Sequence, residues 1–216
     1  GQRIVSDNTG HVCGRCPACE RGDYLLCSEK VNLGLGYGYS GGFTKYCRIP
    51  GEILAIHKRA IWEIPEGLEY EEAAVMDPIC NAYKAIAQRS GLLPGENVVI
   101  FGTGPLGLFS VQIAKIMGAL NIVVVGLEED VKVRFGVARQ LGATEVVNGS
   151  AEDVVKRCQE ICGGSDSIGL VVDCAGANIC LKQAIEMVRC NGEIVRVGMG
   201  FKPVGFSIND ISMKAV

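Results

Sequence analysis

From Asn97 onward, short apolar runs of strand length alternate with segments whose apolar residues return at helical spacing. Val98–Val99–Ile100–Phe101 precedes a helical stretch over 106–117, and Ile122–Val123–Val124–Val125 precedes another over 131–141. Val146–Val147 leads to a helix over 154–161, and Leu170–Val171–Val172–Asp173 to a helix that includes 184–188. A last strand is expected at 193–197, and a further helix begins within 207–213. Strands alternating with amphipathic helices read as βαβ units on a parallel sheet, so the expected class is α/β, doubly wound.

The pattern changes near residue 90. Before it, Gly, Pro and Cys interrupt short apolar alternations such as Phe43–Thr44–Lys45–Tyr46, which predicts an irregular, β-rich region. Two domains are therefore expected, 1–80 and 81–216, within the size prior for 216 residues. The chain opens inside an apparent strand at 1–5 without an initiator methionine, and stops soon after a helix start. A piece of a longer protein, short at both ends, is the expectation.

Composition narrows the classes. Hydrophobic residues make up 48% and charged residues 21%, enough for a buried core and against wholesale disorder. The net charge is −3 and basic residues form no run, so neither nucleic acid nor an anionic membrane is an expected partner. No charged-then-apolar leader and no bilayer-length apolar stretch is present, so a cytoplasmic protein is expected.

Cysteine placement carries the first chemistry. Four of the eleven cysteines form Cys13-x2-Cys16-x2-Cys19-x7-Cys27, and the other seven are scattered. Four thiolates on one short loop suit tetrahedral Zn²⁺, and Gly14, Pro17 and Gly22 suit the bends. Two disulfides or unliganded thiols are the alternatives. A closed four-thiolate site would be structural, with the metal supplying folding energy to a loop poor in apolar residues.

The second motif is Gly102–Thr103–Gly104–Pro105–Leu106–Gly107, a G-x-G-x-x-G run after a strand and before a helix. Gly102 allows a tight turn, Gly104 lets backbone approach a pyrophosphate, and Gly107 lets helix and strand pack closely. The helix N-terminus then faces the phosphates. An ordinary β–turn–α connection is the plainer alternative.

Together these stretches resemble the zinc-containing medium-chain alcohol/polyol dehydrogenase family, of the sorbitol/threonine dehydrogenase kind. The cysteine run is similar to its structural-zinc lobe. Gly41–Gly42–Phe43–Thr44–Lys45–Tyr46 is similar to a strand of that family, and Ile64–Pro65–Glu66–Gly67–Leu68 with Glu71–Glu72–Ala73–Ala74 to the stretch leading into its active site. The resemblance implies part of a GroES-like catalytic domain followed by a Rossmann domain. Cofactors would be Zn²⁺ and NAD or NADP, the partner a small-molecule alcohol, and the assembly a homo-oligomer (dimer or tetramer).

The resemblance also assigns residues. Gly126 ends the second strand where the ribose discriminator lies. A small residue there often accompanies NADP, whereas Glu128–Glu129–Asp130 would repel a phosphate unless Lys132 or Arg134 folded back. Ala175, beside Asp173 and Gly176, and the loop Val197–Gly198–Met199 are placed near the cofactor. Asp77, in Met76–Asp77–Pro78, stands where polyol dehydrogenases carry a Glu-Pro at the catalytic zinc. Its residue-level alternative is a helix N-cap with Pro78 at the first helical position. His11 and His57 are expected to be loop residues rather than ligands. The implied activity is hydride transfer between a secondary alcohol, polyol or sugar alcohol, and NAD(P), with an L-threonine 3-dehydrogenase or a non-catalytic nucleotide-binding redox sensor as alternatives. These 216 residues by themselves are expected to bind nucleotide without turning over substrate.

Overall fold

Strands β1 (Ile4–Ser6) and β2 (Ile61–Glu63) pair antiparallel, with Val5 opposite Trp62. They belong to the first of two compact units, Gly1–Ala74 and Val75–Val216, in a computed structural model. The structure describes residues 1–7, 10–30, 35, 39–200, 202–205, 211–212 and 214. The first unit also holds the short helices α1 (Pro17–Glu20), α2 (Gly51–Ile56) and α3 (Tyr70–Ala73). Glu72 starts α3 by accepting the Glu69 backbone N–H at 2.8 Å.

The strand expected at 41–46 is not formed. Residues 42–45 bend, with the Thr44 N–H reaching back to the Gly42 carbonyl at 2.8 Å. Phe43 and Tyr46 are exposed, so the segment's apolar residues have no sheet face to cover. A strand pattern without burial gains nothing from being extended.

The second unit begins with α4 (Met76–Tyr83), which runs on into a wider π-type turn at Lys84–Gln88. The division at 74/75 keeps α4 in one piece, where a boundary at 80/81 would cut through it. Then follow β3 (Asn97–Phe101), α5 (Pro105–Ile116), β4 (Ile122–Gly126), α6 (Arg134–Leu141) and β5 (Glu145–Asn148). The chain continues through α7 (Val154–Cys162), β6 (Ile168–Asp173), α8 (Asn178–Met187) and β7 (Glu193–Arg196). The strands make one parallel sheet in the order β5-β4-β3-β6-β7.

Every residue of β3, β4 and β6 is buried. Successive side chains point to opposite faces. Thus Val98, Ile100, Ile122 and Val124 pack with Val111 and Ala114 of α5 and Ala138 of α6. Val99, Phe101, Val123 and Val125 pack with Cys158 and Cys162 of α7 and Met187 of α8. Each such aliphatic side chain contributes about 1.5–3 kcal/mol by burial. Helices cover both faces, and the strand order reverses between β3 and β6. A ligand crevice in such a sheet opens at the carboxyl ends of the strands at that point.

Most element ends lie within a residue of the pattern-based expectation, and one helix start differs by more. α6 starts at Arg134 rather than 131, because Asp130 turns back to accept the Leu127 N–H at 2.9 Å and closes a separate 3-10 turn, Glu128–Asp130. α8 takes in the expected helical residues up to Met187, and Val188 is its C-cap. The helix start expected within 207–213 lies mostly outside the described residues. Among the described residues no helix is long and apolar enough to cross a membrane.

Asn97, buried at the amino end of β3, is the sheet's polar anchor. Its Nδ2 donates to the carbonyls of Cys162 (3.1 Å) and Ser167 (2.9 Å), and its Oδ1 accepts from Asn121 Nδ2 at 2.8 Å. Asn97→Ala takes the partner from the buried Cys162 carbonyl and from the half-buried Ser167 carbonyl and Asn121 amide, and should cost about 1–3 kcal/mol. Urea unfolding followed by circular dichroism would show this as a lower midpoint, and an unchanged midpoint would refute the anchor.

Candidate functional site

The four cysteines of the first unit converge. Cys16 precedes α1, Pro17 occupies its first turn, Cys19 lies within it, and the 3-10 turn Tyr24–Leu26 delivers Cys27. Gly14 (φ +72°) and Gly22 (φ +80°) take the left-handed conformations that reverse the chain. The four Sγ atoms lie within 4.8 Å of one another, and Cys13 and Cys19 are 4.0 Å apart. A tetrahedron with metal–sulfur bonds of about 2.3 Å needs sulfurs about 3.8 Å apart. All eleven cysteines are free, so the disulfide alternative is not realised.

The lobe's own core is small. Val12, Cys19 and Cys27 are its buried members, with Tyr24 and Ile56 packed alongside. Backbone amides already favour thiolates: those of Cys19 and Ser28 lower Cys16 to about 6. Burial works against ionisation at Cys27, but the amides of Cys13 and Glu29 outweigh it and lower this thiol too. Burial pushes Cys19 up to about 12. A divalent cation binding here would displace the remaining protons, and the donor set fits zinc.

The second site is the carboxyl edge of the parallel sheet. Gly102 turns the chain at φ +104°, with its N–H held by the Val125 carbonyl at 2.8 Å. A side chain on Gly107 would collide with the Gly102 carbonyl, so α5 meets the turn backbone to backbone. Gly104 is the N-cap of α5, and a side chain there would meet nothing within 4 Å. Pro105 has no N–H to satisfy, and no side chain caps the helix, so the amides of Leu106 and Gly107 lack intrahelical partners. Thr103 is buried beneath the turn.

Gly126 reads differently in three dimensions. The chain itself leaves no space for a side chain at this strand end. A Cβ would lie 2.5 Å from Phe135 Cε1 and 2.9 Å from both Thr103 Cγ2 and Asp130 Oδ2. The acidic triplet is also partly committed. Glu128 accepts Asn148 Nδ2 at 2.6 Å, while Asp130 is buried on the Leu127 amide. Arg134 places Nη1 3.5 Å from the Thr103 carbonyl and Nε 3.8 Å from Asp130.

Ala175 and the 197–199 loop meet through a residue that sequence reasoning had placed only as a strand end. Asp173 is fully buried. Its Oδ1 accepts the N–H groups of Ala175 (3.0 Å) and Gly176 (2.8 Å), and its carbonyl accepts those of Val197 (2.9 Å) and Gly198 (2.8 Å). Arg196, opposite Asp173 in the ladder, was missed altogether. The available signal was a charge at the last position of each strand, Asp173 in β6 and Arg196 in β7.

Asp77 is not an N-cap. Val75 holds that position and the first i→i−4 bond runs from Ile79 N–H to its carbonyl, so Asp77 and Pro78 both lie inside the first turn. Pro78 is tolerated there because the first four N–H groups of a helix have no partner anyway. Asp77 is exposed, with Asn81 Nδ2 3.3 Å from its Oδ2. Among the described residues, the only group of three or more His, Cys, Asp or Glu with converging ligand atoms is the cysteine cluster. His57 pairs with Asp7 at 3.3 Å and packs on the Tyr24 ring.

A parallel sheet in this order, with a G-x-G-x-x-G turn at its switch point, defines a doubly wound α/β fold of the Rossmann type. Residues 105–216 match the family model described as zinc-binding dehydrogenase, and the chain belongs to that family. It is 72% identical over 213 residues to an uncharacterised zinc-type alcohol dehydrogenase-like protein of Escherichia coli K12, covering 98% of this chain and 59% of that one. It is 31% identical to a sorbitol dehydrogenase of Halalkalibacterium halodurans, covering 100% of this chain and 60% of that protein. Its fold superposes with a TM-score of 0.82 on a protein from Sinorhizobium meliloti 1021 described as a zinc-binding dehydrogenase bound to NADP, at 29% identity over 100% of this chain and 60% of that one. The chain thus spans about 60% of the length of the curated relatives it matches.

The thiol order gives a direct check on the lobe. In metal-free, reduced protein at pH 7, Cys16 is expected to be alkylated well before Cys19 by iodoacetamide, because the thiolate is the nucleophile. Peptide mass spectrometry resolves the two, and equal rates would contradict the arrangement of amides around them.

Proposed function

We propose that this chain carries the structural-zinc lobe and the dinucleotide-binding half of a zinc-dependent oxidoreductase, which transfers hydride between a secondary alcohol and NAD(P). The observation that carries the reading is the Gly102–Gly107 turn, where a side chain at Gly104 would face open space beside unpaired helix amides. That combination suits a pyrophosphate: the glycine admits it closely, and the amides and helix dipole attract its charge. Leu106 and Gly107 contribute those amides, and Thr103 and Pro105 fix the shape of the turn.

Cys13, Cys16, Cys19 and Cys27 would hold one zinc with no position left open, so this metal is structural. Asp77 is this chain's residue for the catalytic zinc, either directly or through water. Zinc bound there would act as a Lewis acid on the substrate hydroxyl. The roles of this chain's residues are to bind and orient the nucleotide. Ala175, Val197, Gly198 and Met199 flank its nicotinamide end, and Gly126 closes the floor beneath its adenosine end. The sorbitol dehydrogenase among the relatives supports a polyol or sugar alcohol as substrate, and the NADP-bound structural neighbour supports a nicotinamide dinucleotide as cofactor.

Gly104→Val tests the reading. A Cβ at this position meets nothing within 4 Å, so circular dichroism and melting should match wild type. NADH and NADPH binding, followed by nucleotide fluorescence, should weaken by about ten-fold or more, the loss of at least one charge-assisted contact. Unchanged binding by a folded Gly104→Val chain would overturn the assignment.

A further inference from the structure

The carboxyl ends of β6 and β7 are joined by groups that contribute little to the core. Arg196 sends Nη2 to the Gly176 carbonyl at 2.6 Å and Nε to the Gly198 carbonyl at 3.4 Å. The same Nε lies 3.4 Å from Asp173 Oδ2. Asp173 in turn gathers four backbone N–H groups, two from each loop, with its Oδ1 and its carbonyl. One acid and one base therefore hold both loops.

The loops also touch backbone to backbone. Gly176 is at φ +73°, and a side chain on it would run into the Met199 carbonyl. A side chain on Gly198 would strike the Gly176 nitrogen, and one on Gly200 both the Gly176 oxygen and Arg196 Nη2. Three glycines are spent on this contact at the mouth of the switch-point crevice.

A brace selected for stability alone would be built differently. Asp173 Oδ2 is buried and, among the described residues, has no hydrogen-bond partner, since Arg196 approaches it at an unfavourable angle. Burying a carboxylate with an imperfect partner is costly, and apolar side chains of similar size hold a sheet edge at least as well. What the pair supplies is direction: it fixes which way the peptides at 174–176 and 197–200 face.

A dinucleotide lying across the crevice puts its pyrophosphate on the Gly102–Gly107 turn and its adenosine half over β4. The other nucleoside half then falls over the ends of β6 and β7. We infer that Arg196, acting through Asp173, Gly176 and Gly198, is a positioning residue that shapes the subsite for the second nucleoside half of the dinucleotide. The inference rests on the dinucleotide reading above.

The test uses the full chain and compares a whole cofactor with its adenosine part. Whichever of NADH or NADPH binds wild type more tightly is titrated beside ADP or 2′-phospho-ADP, respectively. Arg196→Lys keeps a cation beside Asp173 but cannot reach both carbonyls. It should weaken the whole cofactor by about ten-fold, as loss of an outer supporting contact does, and leave the adenosine fragment within about two-fold. Gly200→Ala keeps both charges, pushes a methyl group into the brace, and should show the same selective loss. If Arg196→Lys also loses the fragment, its fold has failed and Gly200→Ala decides. The inference is overturned if Gly200→Ala binds both ligands as wild type does, if both variants lose both ligands together, or if Arg196→Lys leaves the whole cofactor unaffected. A wild-type chain that binds neither whole cofactor nor fragment removes the dinucleotide reading and this inference with it. One that binds the fragment as tightly as the whole cofactor removes only this inference.

Discussion

The second unit depends on a sheet buried on both faces. β3, β4 and β6 have no exposed residue, and their side chains are divided between two helical layers. Such strands have no face left for chemistry, so polar function is driven to the strand ends. The order β5-β4-β3-β6-β7 then concentrates it further, because the connections diverge between β3 and β6 and leave a crevice there. The glycine-rich turn, the Asp173–Arg196 brace and the tightly packed Gly126 all follow from that confinement.

The two edges of the sheet are treated differently. At the amino edge, Asn97 is buried with its three hydrogen bonds made to neutral groups, which suits an anchor. At the carboxyl edge a full charge is buried at Asp173, one of its oxygens is poorly matched, and glycines replace side chains around it. The first arrangement lowers energy, whereas the second holds loops in one orientation. In the first unit a metal held by the four cysteines would take over this task, since the lobe's small apolar cluster offers little surface to hold four sulfurs in place.

Legibility followed the physics of each element. β3, β4 and α5 could be read because continuous apolar runs and a glycine turn are local signals, and the cysteine spacing was local as well. The Phe43–Tyr46 alternation misled because a period-two pattern states which residues could share a face, not that a face exists to receive them. Asp77 looked like a cap because Pro78 favours a first turn, but Pro is equally at ease two residues later. Gly126 was legible as small, but the packing that requires it was not, since Phe135, Thr103 and Asp130 come from three separate segments. Arg196 was visible as a charge closing a strand, but its pairing was not, because its partner lies across a ladder register that only the folded sheet defines.

We propose that the carboxyl edge, and nothing else in the second unit, receives a dinucleotide. Hydrogen–deuterium exchange with and without saturating cofactor tests it most directly. Exchange should slow at 102–107, 173–176 and 196–200, and stay unchanged along the amino edge at 91–97 and 189–193. Protection at the amino edge, or none at the Gly102–Gly107 turn while cofactor is demonstrably bound, would contradict the account.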